Sequence, residues 1–212
     1  MFWGSHRAAQ VEAQRLLFSV GEPENIAAAC RSAAARGLGF LEDDHALYVR
    51  TSGVSRLPEV LRVYVSCAAR FYGELDNADL IKIHVASGKV TLLLYDDFEG
   101  RRIPMLLERV KVNLRQQDIQ FFEYGSAQSP QPLYLKSRFL LPDDPLFEAQ
   151  KAFDDGLKAL GSFDFSAFGP NWQDFMSKLG DIAPHLVPLI SPEDDDGASR
   201  RARVAMIPPD AD

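Results

Sequence analysis

LIKIHVASGKVTLLLY, residues 80–95, decides the fold class. Ile81, Ile83 and Val85 fall on one side of an extended chain, and Lys82 and His84 fall on the other. ASGK supplies turn residues, and the period of two then resumes. Val90, Leu92 and Leu94 alternate with Thr91, Leu93 and Tyr95. Two alternating runs joined by a short glycine-bearing turn are an antiparallel hairpin. The pattern continues downstream. RVKVNL sets Val110, Val112 and Leu114 against Lys111 and Asn113, and DIQFFEY and PLYLKSRFL read as further strands. The expectation is an antiparallel sheet of about four or five strands over 80–141.

Helical spacing brackets this sheet. Residues 5–20 carry Ala8, Val11, Leu16 and Leu17 on a loose apolar stripe, with Ser5 as a cap. Residues 23–36 open on Pro23 and stop at Gly37. Ile26, Ala29, Cys30, Ala33 and Ala34 form a face of small side chains that another element can approach closely. A third helix covers about 56–72, preceded by HALYVR, a candidate short strand. DDPLFEAQKAFDDGLKALG restores the helical period, with Asp143 or Asp144 as cap. The aromatic loop SFDFSAFGPNW and the short helix WQDFMSKLG follow. The whole is read as one α+β domain over 1–190: helical 5–72, sheet 80–141, helical 143–190. Residues 191–212 are expected to form a mobile charged tail.

Bulk properties narrow the function. A net charge of -7 excludes a generally basic polyanion binder, so any nucleic-acid contact must come from a local patch. Such a patch exists: residues 80–140 hold nine Lys or Arg against six Asp or Glu. Lys82, Lys111, Lys136 and Arg138 alternate out of the apolar face, with His84 beside Lys82. If these faces coincide, the sheet offers a cationic surface to phosphate. Tyr95 or Tyr134 could then pack on bases. The two cysteines, Cys30 and Cys67, sit in apolar helical surroundings and read as buried free thiols. No signal peptide or membrane span is legible, so a cytoplasmic protein is expected.

YDDFEGRR, residues 95–102, raises a second possibility. Asp96 and Asp97 with Glu108 and a lysine could hold a divalent metal for phosphodiester cleavage. Under that nuclease alternative Lys82 or Lys111 would assist, but Glu108 and Lys111 lie three apart and face opposite sides of a strand. Asp96-Asp97 followed by Gly100 also makes a turn without any metal. No Walker loop or nucleophile elbow is present, and RGLGF follows a helix as a stop signal. No cofactor is expected outside the nuclease alternative.

LLFSVGEPENIAAAC, ALYV, LRVYVSCA, ADLIKIH, VTLLLYDDFEG and PLYLKSRFLLPDDPLF, taken in order from about residue 8 to about residue 160, carry a family likeness. They resemble the C-terminal half of the bacterial DNA-phosphorothioation-associated methyltransferases. In that family an N-terminal domain with a glycine-rich loop would carry methyl transfer. The present sequence has no such loop, so that activity is not expected of it. The resemblance implies an accessory role in bacterial DNA modification, restriction and antiviral defence, with DNA as partner. A protein of the same system is a second expected partner, docked through residues 23–36 or SFDFSAFGPNW. It also draws notice to Lys82, Tyr95, Asp97, Phe98 and Lys136. Asp97, Lys82 and Lys136 are the residues nominated for catalysis.

Overall fold

The computed structural model describes residues 6–73, 75, 77–125, 128–166 and 169–190. Ser5 and the expected tail 191–212 lie outside the described residues. Among the described residues six α-helices, α1 His6–Ser19, α2 Pro23–Ala35, α3 Glu59–Tyr72, α4 Phe147–Ala159, α5 Trp172–Ile182 and α6 Val187–Ile190, accompany six strands. The strands are β1 Phe40–Glu42, β2 Ala46–Arg50, β3 Leu80–His84, β4 Lys89–Tyr95, β5 Leu106–Asn113 and β6 Asp118–Glu123. They form one antiparallel meander in the order β1-β2-β3-β4-β5-β6. The α+β class expected from the sequence is therefore correct, with six strands rather than four or five.

The 80–95 hairpin forms as its alternation dictates, pairing Ile81 with Leu92 and Ile83 with Val90. Gly88 turns the chain at φ +72°, a conformation that favours glycine. Leu47, Val49, Ile81, Ile83, Val90, Leu92, Val110 and Val112 then share one face and pack against the buried stripes of α2 and α3. Burial of each aliphatic side chain contributes about 1.5–3 kcal/mol. The small residues of α2 let it lie close to the sheet: Ala29, Cys30 and Ala33 are buried. Both cysteines are free, Cys30 buried and Cys67 half-buried. After α2, Leu38 N donates to Ala33 O (3.0 Å) and Gly37 N to Ala34 O (2.9 Å), the paired bonds of a glycine-terminated helix.

Two expectations need correction. The helical stretch 5–72 is interrupted by the β1–β2 hairpin, whose second strand is the candidate HALYVR; the hairpin pairs Phe40 with Tyr48 and extends the sheet through Tyr48 opposite Lys82. PLYLKSRFL is not a strand. Pro132 makes a single bridge to Met105, Leu135 turns left-handed at φ 52°, and Lys136–Phe139 coil into a 3-10 turn. The physical reason is the way its apolar residues are shared between two cores. Tyr134 and Leu135 pack with Leu157, Phe175 and Leu179 under α4 and α5, while Leu133 and Leu140 pack with Leu80, Leu93 and Phe98. Tyr134 and Leu135 are neighbours that enter the same core, whereas neighbours in a strand point to opposite faces.

The C-terminal helices seat on this irregular segment. Asn171 caps α5 by accepting from Gln173 N (2.9 Å) and Asp174 N (3.4 Å). α4 begins later than its sequence suggests. Asp144 accepts from Leu146 N (2.9 Å) ahead of the helix, and Asp143 pairs with Arg56 on the surface. Among the described residues, no helix is long and apolar enough to cross a membrane.

The register makes a direct prediction. Leu92 is fully buried between sheet and helices, whereas Leu107, on the neighbouring strand, is 42% exposed. Leu92→Ala is expected to lower unfolding free energy by about 2–5 kcal/mol, and Leu107→Ala by about 0.5 kcal/mol or less. Urea titration followed by circular dichroism checks both. Equal losses would contradict the assigned faces.

Candidate nucleic-acid interface

The sheet face turned away from α2 and α3 carries the polar residues of each strand. Strand pairing sets them in rows. Phe40, Tyr48, Lys82, Thr91, Lys111 and Gln120 stand opposite one another across all six strands. The next row holds Arg50, Leu80, Leu93, Arg109 and Phe122. Lys82 and Lys111 are thus two strands apart, about 10 Å, with buried Thr91 between them. Arg109 lies on the same face, one residue pair along. The cationic residues that the sequence put on a common face are on a common face, except where noted below.

A cleft of about 230 Å³ lies over this face. Its floor includes Lys82, His84, Thr91, Arg109 and Lys111, and its wall comes from 131–134, Arg138 and Phe139. Glu42 is its one carboxylate among the described residues. Lys82 Nζ donates to Glu42 Oε2 (3.2 Å) and to the Tyr48 hydroxyl, which itself donates to Glu42 (3.3 Å). One of the cations is therefore partly neutralised by the protein itself. Arg109 is not: its guanidinium lies 4.4 Å from the Phe122 ring centroid and 5.6 Å from that of Tyr124, and its buried Nε has no hydrogen-bond partner. Lys111 Nζ also sits over Phe122, at 5.3 Å.

Proton affinities register the positive field. Burial, then the charges of Arg109, Lys89 and Lys82, hold the Lys111 ammonium below the usual lysine range. Burial pushes His84 down to about 4, and Lys82, Lys111, His45 and Lys89 push in the same direction. His84 is therefore neutral at pH 7, with Nε2 3.0 Å from Thr91 Oγ1. It belongs to the face as a polar group and contributes no charge.

Lys136 requires a correction. It is 1% exposed, and its Nζ donates to Phe98 O (2.8 Å) and Arg101 O (2.5 Å). Burial brings it down to about 8, with Glu99 and Asp154 opposing the shift. It cannot reach a ligand phosphate, because it is buried and donates twice into the loop 97–102. Arg138, two residues on, does line the cleft, with its guanidinium 5.6 Å from the Phe40 ring centroid. It arrives there from a 3-10 turn rather than a strand. Of the residues nominated for catalysis, Lys136 donates to carbonyls in the loop that holds Asp97, and Lys82 donates to Glu42 and Tyr48.

The aspartates are turn formers. Asp97 adopts φ 46° and accepts from Gly100 N (3.2 Å), while Asp96 accepts from Met105 N (2.5 Å) and pairs with Arg101 (3.1 Å). Glu108 stands opposite Leu94, on the helix-side face, and burial followed by Glu123 raises its proton affinity. Among the described residues no group of three or more His, Cys, Asp or Glu is placed to hold a metal ion.

Of the two surfaces expected to dock a partner, the small face of α2 is covered by the protein itself, and the segment 162–172 is partly exposed where it is described. The small face of α2 is part of the main core, and Phe163 and Phe165 pack on Tyr134 and Phe175. Tyr134 is buried, donating to Pro170 O (3.1 Å), so its ring faces no base. Tyr95 is half-buried at the cleft wall, its ring 5.8 Å from that of Phe98.

Sequence reading passed over Arg50, Arg109 and Glu42. Arg109 had a signal, since it precedes Lys111 by two and must share its face. Arg50 had none. It is buried, bonds Glu99 and lies 4.3 Å from the Phe98 ring centroid. No family model matches this chain, and no curated protein or solved structure is significantly similar to it.

His84 gives a pH prediction. The unfolded chain binds more protons at this residue between pH about 6.5 and pH about 4. Its contribution to stability is present above that window and is lost as pH falls through it. In His84→Gln the decline from pH 6.5 to 4 should be shallower than in the wild type, measured by urea unfolding at each pH. Parallel curves would show that His84 does not carry the effect.

Proposed function

We propose that this chain is a nucleic-acid-binding accessory protein of a bacterial DNA modification and restriction system, acting in defence against phage. It has no methyltransferase activity of its own in this reading. The bacterial context comes from the sequence likeness over residues 8–160. The binding mode comes from the geometry of the cleft. The observation that carries it is the in-register placement of Lys82 and Lys111 with Arg109 on the sheet face opposite α2 and α3, faced by Arg138 and diluted by one carboxylate among the described residues.

A patch of this kind in a chain of net charge -7 is selective in its chemistry. The bulk of the surface repels a polyanion, and the cleft attracts it. Association is therefore confined to one side and strengthened by the low-dielectric floor, where Thr91 and Leu93 exclude water. The aromatic groups beside the cations, Tyr48 and Phe122, add ring contacts to guanidinium and ammonium groups that stay near phosphate.

Fluorescence anisotropy of the full chain with labelled DNA tests the reading. Affinity should fall linearly in log-log form as salt rises from about 50 to 200 mM. Lys82→Glu with Lys111→Glu should weaken binding for every sequence and reduce the salt slope by about one for each lysine. Undetectable binding of the wild type at low salt, or an unchanged slope in the double variant, would end it.

A further inference from the structure

The geometry points to a single-stranded nucleic acid, rather than a duplex, as the ligand of this cleft. The inference rests on the proposed function and goes further by naming the form of the polymer. Its first ground is depth. The cations are on a floor, not a rim: the Lys82 side chain is 19% exposed, and the Nε of Arg109 is buried.

Beside that floor rises a rigid wall. Residues 131–133 are tied to the chain entering β5 by Leu106 N to Gln131 O (2.9 Å) and Leu133 N to Pro104 O (2.9 Å). Arg138 and Phe139 continue the wall, and Phe139 packs edge-on against Tyr48 (5.3 Å). A duplex presents its phosphates on a broad, stiff, convex surface with the bases stacked inside. It cannot lower them to the bottom of a recess of about 230 Å³. A single strand can bend its backbone inward and turn its bases out.

The second ground is what adjoins the cleft. A further hollow of about 500 Å³ shares Arg109, Gln131, Pro132 and Gly169 with it as lining. That hollow carries no carboxylate among the described residues, and Arg109 is its one charged group. Tyr124 and Trp172 line it, and Trp172 stacks on Phe175 at 5.8 Å. A cationic section and an aromatic one thus lie side by side, with Arg109 lining both. Proteins that hold single strands combine these two parts, a positive groove for the backbone and rings for the bases. Arg109, at the junction, has an unpaired buried donor and two aromatic neighbours. It is the group placed to hold the phosphate between an inward-turned section of backbone and the first splayed base.

The experiment compares one labelled strand of about 20 nucleotides of mixed sequence with its blunt duplex, on the full-length protein at about 50 mM salt. The single strand should bind at least about tenfold tighter, and Trp172→Ala should weaken it by about tenfold with little change in salt slope. Tyr124→Ala supplies the same test away from the α5 core should Trp172→Ala fail to fold, as judged by circular dichroism. Duplex binding as tight as single-strand binding would overturn the inference while leaving the proposed function standing. Binding of neither would remove both. Single-strand preference that survives in both ring variants would overturn the assignment of the aromatic section.

Discussion

The buried ammonium of Lys136 is the constraint on which the rest of the architecture turns. A lysine without solvent must find acceptors or lose its charge, because desolvating the cation costs several kcal/mol. Here the acceptors are two backbone carbonyls, Phe98 O and Arg101 O, both in the loop between β4 and β5. Each charge-assisted bond returns about 1.5–3 kcal/mol. The balance leaves Lys136 at about 8, still charged at neutral pH. The consequence is mechanical. Lys136 fastens the irregular segment 131–140 to the sheet's own loop, and Gln150 from α4 fastens the same loop again through Arg102 O (3.0 Å). Asp154, wholly buried, holds Ser137 N (2.8 Å) and Gln150 (2.8 Å), so helix, turn and loop are one hydrogen-bonded block. Without that block the sheet's outer face would be an open plane. With it the face has a wall and becomes a cleft.

The two faces of the sheet divide the work. On one, aliphatic residues at period two meet the stripes of α2 and α3 and supply the hydrophobic stabilisation. On the other, the same period delivers lysine, arginine, threonine and tyrosine to a shared line. Pairing fixes both at once, since a slip of one residue in any strand would turn its cations into the core. The stability of the fold and the composition of the cleft are therefore set by a single register. The field in the cleft follows from it, as seen in the depressed proton affinities of His84 and Lys111, for which burial is the largest cause and neighbouring cations the next.

What the sequence made legible was whatever depended on local period and punctuation. The 80–95 hairpin, the helix stop at Gly37, the turn at Asp96-Asp97 and the common face of Lys82, His84 and Lys111 are all of this kind. What it concealed depended on distant partners. PLYLKSRFL has the composition of a strand, but its neighbours Tyr134 and Leu135 enter one core together, which strand alternation forbids. Lys136 alternates as an exposed lysine would, yet the carbonyls that draw it inward lie 35 and 38 residues earlier in the chain. β1 has three half-buried residues and no alternation to read, so it exists because β2 offers it an edge. Arg50 sits at a strand end in an apolar context, and its pairing with Glu99 is a tertiary event. Local chemistry thus gave the floor of the cleft, and long-range chemistry gave its wall.

The most direct test of the account is a residue-resolved footprint of a nucleic acid on the protein in solution. Backbone amide shifts on titration with a short oligonucleotide should move at Lys82, Thr91, Arg109 and Lys111 and along 131–139. Those of Ala29, Ala33 and Val65, across the sheet, should stay in place. Shifts concentrated instead on the exposed apolar side of α1, around Val11, Leu17 and Phe18, would contradict it.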